Sequence, residues 1–152
     1  MRVNWKKLLL CIALPLAVGA LAALLSGGMD TYAQYVRPPL SPPAWVFMVV
    51  WPVLYVLMGY ASYLVVQAEG DNHKALAAYG AQLAVNFLWP IVYFRFGWPT
   101  GALVVLFVLW LLVLLTIRLF SDISERAADL LIPYILWLSY AAYLNLGIIL
   151  LN

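Results

Sequence analysis

The sequence has 152 residues, of which 67% are hydrophobic and 9% are charged, with a formal net charge of +2. Soluble domains have roughly half apolar and about a quarter charged residues, so this composition excludes a soluble protein and predicts an integral membrane protein. The small positive charge is accounted for by Lys and Arg at the ends of predicted helices, and it gives no case for a nucleic-acid partner.

Five stretches without Asp, Glu, Lys or Arg follow one another along the chain. They cover residues 8–26, 44–66, 75–94, 99–117 and 130–151. Each stretch approaches the ~20 residues that an α-helix needs to cross a bilayer. A β-barrel would instead show shorter alternating segments. We therefore predict an all-α fold, an integral membrane bundle of five transmembrane helices that forms one domain over residues 1–152.

The first predicted helix follows a basic segment, which is also the form of a cleaved signal peptide. Its apolar run is long, so we expect an uncleaved helix. Lys and Arg at the helix ends fall into two groups, Arg2, Lys6, Lys7, Lys74, Arg118 and Arg126 on one side and Arg37 and Arg95 on the other. Under the positive-inside rule, this distribution predicts the N-terminus inside and the C-terminus outside, and it suits a bacterial cell membrane, although the sequence leaves the membrane open.

Prolines interrupt several of the predicted helices. Pro15, Pro52, Pro90 and Pro133 fall inside apolar stretches, where each removes a backbone hydrogen bond and is expected to bend its helix. In the last loop, "SDISERAAD", Ser121 or Asp122 is the expected cap of a short turn.

Three helices carry aromatic and polar residues at helical spacing. The stripes are Phe47, Trp51, Tyr55, Gly59 and Ser62; Tyr79, Gln82, Asn86, Trp89 and Tyr93; and Tyr134, Trp137, Ala141 and Asn145. Each stripe should face inward, because an amide without a partner is costly in hydrocarbon. Together they could line a pocket for a flat, largely apolar ligand with a few polar edges.

Two alternatives stay open for the aromatic residues. Trp5, Trp45 and Trp98 lie near helix ends and fit an interfacial belt. Trp51 and Trp137 lie about two turns inside their helices, where a pocket and simple packing are equally open. The predicted helices contain no ionisable residue of the kind that ion-coupled carriers use. His73 stands in a polar loop without companions, so no metal site is expected.

Small residues on the third predicted helix suggest a close helix contact. Ala77, Gly80, Ala81 and Ala84 form small-xxx-small pairs, which favour close packing of helices. The contact could be internal or a homodimer seam.

Three segments of the chain show a specific resemblance. "RPPLSPPAWVFMVVWPVLYVLMGYASYLV", "GAQLAVNFLWPIVYF" and "LLIPYILWLSYAAYLN" resemble the TspO/MBR family, the tryptophan-rich sensory and translocator proteins. The resemblance implies a five-helix bundle, commonly a homodimer, that binds porphyrins such as protoporphyrin IX. It also implies links to tetrapyrrole transport or sensing and, in some bacteria, to light-dependent porphyrin breakdown.

The resemblance also assigns site residues. Trp51 and Trp137 match the pocket tryptophans implicated in porphyrin degradation. The positions that line or close the ligand cavity in the family match Tyr32, Pro42, Pro43, Tyr55, Asn86, Trp89 and Ala141. With Phe47 and Gln82 from the stripes, and Arg37 at the rim, these are the predicted ligand-binding residues. Porphyrin is the expected ligand, and no cofactor is required.

The loop before the second helix departs from the family pattern. Thr31 and Leu40 stand where the family has tryptophans, so this loop is less aromatic. For animal members the resemblance also implies cholesterol and synthetic benzodiazepine-type ligands. Gly101 stands where those members have a pocket tryptophan, which weakens the expectation of benzodiazepine-type ligands. No basic residue follows Tyr143, so sterol recognition there is unsupported.

Prolines in this loop predict a stiff, extended lid. Residues 38–43 have little conformational freedom, so closing them over a pocket mouth costs little ordering entropy. Arg37 could then pair with a carboxylate of the ligand.

Three functions stay open at this point. The leading one is a membrane receptor or sensor that binds a tetrapyrrole, with its transport as a further role. The second is a light-dependent porphyrin-degrading enzyme that uses Trp51 and Trp137. The third is a structural or lipid-binding partner of other membrane proteins.

Overall fold

The computed structural model describes residues 2–27 and 34–152. The helices are α1 (Trp5–Ser26), α2 (Ala44–Gln67), α3 (His73–Pro90), α4 (Pro99–Ser121), α5 (Glu125–Leu130) and α6 (Ile132–Leu151), and a π-helical turn (Ile91–Arg95) extends α3. Within these residues, five segments are long and apolar enough to cross a membrane: α1, α2, α3 with its π turn, α4, and α5 with α6. The predicted all-α bundle with five transmembrane helices is confirmed, and the chain is a multi-pass membrane protein.

The helices pack in a ring. α1 lies against α2 and α3, α3 lies against α4, and α4 lies against α6. α5 contacts α2, α4 and α6 and closes one end of the bundle. In the described residues the backbones of α2 and α6 do not pack closely against each other. Side chains occupy the space between these two helices.

Glycine allows α1 to approach α2 closely. A Cβ on Gly59 would lie 2.6 Å from the Ile12 Cα and 2.7 Å from the Cys11 carbonyl oxygen, so any side chain there would meet the α1 backbone. Gly19 of α1 lies against the ring of Tyr55 and leaves no room for a side chain. This close crossing holds a helix that otherwise buries little of itself, since only 11% of the apolar stretch of α1 is buried inside the protein.

The last membrane span differs from its predicted bounds of 130–151. Helical structure begins at Glu125, breaks at Leu131 and resumes at Ile132. Pro133 therefore lies in the first turn of α6, where the backbone N–H has no intrahelical partner, and not inside a helix as predicted. The cap of α5 is Ser124, whose Oγ accepts from the Ala127 N–H at 3.3 Å. The predicted caps, Ser121 and Asp122, precede it.

Pro90 changes the geometry of the third span. Because Pro90 has no N–H, the α-helical pattern gives way to a π turn, in which the Phe96 N–H donates to the Ile91 carbonyl oxygen at 3.0 Å. The other internal prolines, Pro15 and Pro52, lie within α1 and α2 as expected.

The small-residue stripe of α3 faces outward. Ala77, Gly80, Ala81 and Ala84 are exposed, whereas Ala78, Tyr79 and Gln82 face the core. The stripe is therefore not packed inside the described chain, and its role as a dimer seam stays a prediction.

Adding a methyl group at Gly59 should separate α1 from α2. We expect Gly59→Ala to lower the free energy of unfolding by about 1–3 kcal/mol, because the new Cβ meets backbone atoms that cannot rotate away. Unfolding in mixed micelles, followed by the loss of helical circular dichroism, measures the change. Gly80→Ala is the matched control, because nothing lies within 4 Å of its Cβ position. Equal stability of both variants would contradict the proposed crossing.

Candidate ligand-binding site

Aromatic rings fill the space between α2 and α6. The centroids of Phe47 and Trp137 lie 5.5 Å apart, and those of Trp51 and Trp137 lie 6.4 Å apart with the ring planes at 90°. Trp51 also stacks on Tyr55 at 5.6 Å. Edge-to-face and offset-stacked pairs at these distances are attractive. The rings therefore form one continuous cluster across the gap.

A chain of buried hydrogen bonds lies beside the rings. The Tyr55 hydroxyl donates to Asn86 Oδ1 at 3.0 Å, and Asn86 Nδ2 donates to the Tyr134 oxygen at 2.6 Å. The Tyr134 hydroxyl donates to Gln82 Oε1 at 2.7 Å. These bonds give buried polar groups partners away from water, as hydrocarbon surroundings require. They link α2 to α3 and α3 to α6.

A second polar link lies closer to the π turn. Trp89 Nε1 donates to Asn145 Oδ1 at 3.2 Å, and Asn145 Nδ2 donates to the Pro99 carbonyl oxygen at 2.8 Å. Trp89 stacks on Tyr93 with a centroid distance of 5.2 Å. This link fixes the position of α6 relative to α3 and the start of α4.

A small cavity lies between the rings and this second link. Its lining residues are Phe47, Trp89, Tyr93, Phe94, Ala141, Leu144 and Asn145. The volume open to water centres is about 20 Å³, which is room for about one water molecule. Sites for drug-sized ligands have volumes of about 300–1,000 Å³. A flat ligand can therefore enter this site only if the rings separate.

Trp137 places a buried indole N–H, a hydrogen-bond donor, at this site. Its Nε1 atom is buried and has no hydrogen-bond partner among the described residues. The Tyr79 hydroxyl, one turn of α3 before Gln82, is in the same state. A buried donor without a partner is costly, and a ligand acceptor that reached Trp137 Nε1 would remove this cost.

The segment of residues 36–43, which we call the lid, is tied to α6 by hydrogen bonds. The Val36 N–H donates to Asn152 Oδ1 at 3.0 Å, and Asn152 Nδ2 donates to the Val36 carbonyl oxygen at 2.8 Å. The Tyr143 hydroxyl donates to the Pro39 carbonyl oxygen at 2.7 Å, and that of Tyr140 to the Leu40 carbonyl oxygen. Side chains of α6 thus supply donors to a proline-rich segment that has few N–H groups.

The lid also has a fitted seat on α6. Pro38 is buried against Gly147, where a Cβ would lie 2.5 Å from the proline Cγ. Leu40 has φ of 67°, in the left-handed region, where the chain turns after Pro39. The Ser41 Oγ donates to the Pro38 carbonyl oxygen at 2.6 Å and closes that turn. The prolines predicted an extended lid. The structure shows that the lid also contains a turn at Pro39 and Leu40.

The structure brings most of the predicted ligand-binding residues to one place. Trp51 and Trp137 are half-buried, and the buried ones on the inner faces of α2, α3 and α6 are Phe47, Tyr55, Gln82, Asn86, Trp89 and Ala141. Arg37 and Pro43 are exposed on the lid, and Pro42 is half-buried there. Tyr32 lies outside the described residues.

Sequence reasoning missed two groups of residues at this site. Phe94 and Leu144 line the cavity, and Tyr140, Tyr143, Gly147 and Asn152 hold the lid. The spacing of Tyr140, Tyr143 and Gly147 places them on one face of a helix and could have indicated a contact surface. The neighbours Tyr93 and Phe94 both reach the cavity because of the π turn, which regular helical spacing does not predict.

Comparison with known proteins decides the family. A sequence profile of the TspO/MBR family matches residues 11–151. The chain belongs to the TspO/MBR family. It is 34% identical to the tryptophan-rich protein TspO of Chlorobaculum tepidum over 150 residues, which is 95% of each chain. The predicted resemblance is therefore confirmed.

This member of the TspO/MBR family is similar to proteins of both bacteria and animals. The chain is 38% identical to the tryptophan-rich sensory protein of Cereibacter sphaeroides over 152 residues, 100% of this chain and 95% of the relative. It is 38% identical to the translocator protein of Ovis aries over 125 residues, 78% of this chain and 72% of the relative. The chain is thus a membrane protein of a family whose members include proteins named tryptophan-rich sensory protein and translocator protein.

The buried hydrogen-bond chain should depend most on its central amide. Asn86→Leu leaves the Tyr55 hydroxyl without an acceptor, and we expect it to lower the free energy of unfolding by about 2 kcal/mol. Tyr55→Phe removes one bond and should cost about 1 kcal/mol. Unfolding in mixed micelles measures both values. The double variant should cost less than the sum, because the unpaired hydroxyl is then absent; additive costs would show that the two groups are not coupled.

Proposed function

We propose that this protein is a membrane receptor or sensor that binds a tetrapyrrole such as protoporphyrin IX between α2, α3 and α6. The observation that carries the proposal is the ring cluster of Phe47, Trp51 and Trp137, which lies beside a buried polar chain and under a fitted lid. Transport of the bound ligand across or along the membrane is a further role of the same site.

The chemistry of the cluster suits a flat conjugated ring. Indole and phenol faces stack on such a ring, and the apolar surroundings favour its transfer from water. The free Trp137 N–H offers a hydrogen bond to a polar edge of the ligand. Family membership supports the same ligand class, because the resemblance of the three segments implies porphyrin binding.

The packed state of the rings determines how binding must proceed. Since the cavity holds about one water molecule, the tryptophan rings must rotate or α2 and α6 must move apart before a macrocycle fits. Ligand contacts then replace the ring contacts between α2 and α6. Binding is thereby coupled to a rearrangement of the contacts between two helices, which is the kind of change a sensor needs.

We also propose the orientation and assembly that the sequence predicts. The end of the bundle that holds the N-terminus, the end of α2 and the α4–α5 connection has six Lys and Arg in or near it, at positions 2, 6, 7, 74, 118 and 126, and the opposite end has two, at 37 and 95. This count favours the lid and C-terminus outside a bacterial cell membrane. The exposed small residues of α3 are a surface that a second copy could cover.

Titration with protoporphyrin IX tests the binding site. In detergent-purified protein we expect saturable quenching of tryptophan fluorescence, and we expect the dissociation constant to rise about fivefold in Trp51→Phe and in Trp137→Phe, because each loses indole area and an N–H. Trp45→Phe is the matched control, since its ring is 63% exposed at a helix end.

Two results would contradict the proposal. Quenching that never saturates would exclude a defined site. An equal loss of affinity in the Trp45→Phe control would show that the two central tryptophans are not special.

Arg37 should recognise a carboxylate on the ligand. We expect Arg37→Ala to raise the dissociation constant of protoporphyrin IX about three- to tenfold, because a charge-assisted hydrogen bond at an exposed rim is lost. The dimethyl ester of protoporphyrin IX has no ionised carboxylate, so its affinity should not change. Equal weakening of both ligands would exclude this role.

Illumination of the same samples separates binding from chemistry. If the porphyrin absorption bands persist under light, the receptor function stands alone. If they decay only in protein that retains Trp51 and Trp137, the light-dependent porphyrin-degrading enzyme is favoured. The observation that favours this second function is the edge-to-face contact of the Trp51 and Trp137 rings, which places both indoles at the same site.

A further inference from the structure

The gap between α2 and α6, which we call the α2/α6 seam, differs from the other lateral boundaries of the bundle. At the other boundaries, neighbouring helix backbones pack closely. At the seam the direct contacts across the described residues are contacts between rings, Phe47 and Trp51 on one side and Tyr134 and Trp137 on the other. The hydrogen bonds of the central chain reach α2 and α6 through α3 instead. Among the described residues, the seam is therefore joined by ring contacts and not by hydrogen bonds, and ring rotation can break and re-form such contacts.

The two ends of the seam are closed. α5 lies against α2 and α6 at one end. At the other end the lid runs directly into α2 and is tied to α6 by the Tyr140, Tyr143 and Asn152 side chains. Opening the lid would break several hydrogen bonds and lift Pro38 from Gly147. Opening the middle of the seam breaks none of these bonds.

We propose that the α2/α6 seam is a lateral portal through which a flat, amphiphilic ligand passes between the ring cluster and the surrounding bilayer while the lid stays closed. Trp51 and Trp137 are the gate. Both are half-buried, and the buried Trp137 Nε1 has no hydrogen-bond partner among the described residues that it would lose when its indole rotates.

This proposal rests on the proposed function for the identity of the ligand. It adds that the ligand comes from the hydrocarbon phase and not from water. A membrane route fits a macrocycle that partitions into lipid, because the ligand need not be returned to water before it binds.

A disulfide that locks the lid tests the route. An ideal Cβ at position 147 would lie 2.6 Å from the Pro38 Cβ, so a small displacement reaches the spacing of a disulfide. We would combine Pro38→Cys and Gly147→Cys with Cys11→Ser, which removes the one native thiol. The protein is reconstituted in liposomes that already contain protoporphyrin IX, and its association rate is followed by tryptophan quenching. The reduced form of the same variant is the control.

The two outcomes are opposite. Passage through the seam predicts association rates within about twofold in the locked and reduced forms, because the lid does not move in either case. A drop of more than about tenfold in the locked form, reversed by reductant, would show that the ligand passes under the lid and would overturn the proposal.

A third outcome, in which neither form binds protoporphyrin IX, would reject the proposed ligand, and a second measurement then decides the portal. Lipids with brominated acyl chains quench tryptophans that the chains can reach. The difference in fluorescence between the parent protein and the Trp51→Phe/Trp137→Phe variant isolates the two gate residues. A seam that opens to lipid predicts strong quenching of this difference, with the lid locked or free. Unquenched gate residues would mean a sealed seam and would overturn the proposal.

Discussion

The Asn86 amide determines much of the arrangement of this bundle. In hydrocarbon an amide must find partners inside the protein, and Asn86 finds a tyrosine hydroxyl on each side, Tyr55 of α2 and Tyr134 of α6. Both helices are therefore held at fixed distances from α3. They are not held to each other, and the space that this leaves between them is where the rings of the site are found.

The lid and the π turn complete the site from its two sides. The lid depends on α6 and on Asn152, which follows it. Tyr143 and Asn152 donate hydrogen bonds to lid carbonyl groups, because the prolines of the lid have no N–H groups to do so. The π turn depends on Pro90, and it directs Tyr93 and Phe94 together towards the cavity. A packed cluster with room for about one water molecule results, so the rings must separate before a larger molecule fits between them.

Stability and ligand access are separated in this design. Polar bonds and close glycine crossings, such as Gly59 against α1, hold the helices in their ring. In the described residues the α2/α6 seam has no hydrogen bond between the two helices and no such glycine crossing, and weak ring contacts occupy it. The proposed uptake of a large flat ligand needs one boundary that opens without unfolding the others, and ring contacts meet this need because separating them breaks no hydrogen bond between α2 and α6 among the described residues.

The sequence by itself determined the five membrane helices, the inward stripes and the family, because hydrocarbon length and the cost of unpaired amides act locally along the chain. Only the tertiary structure showed which groups pair. Asn145 could have bonded to several neighbours, and its bond to Trp89 depends on how α3 and α6 are placed. From the sequence, Pro133 is predicted to kink a long apolar helix. In the structure the helix breaks at Leu131, so Pro133 lies in the first turn of α6. The seat of Pro38 on Gly147 joins residues more than 100 positions apart, and no periodicity reports such a contact, because it depends on the folded path of the whole chain.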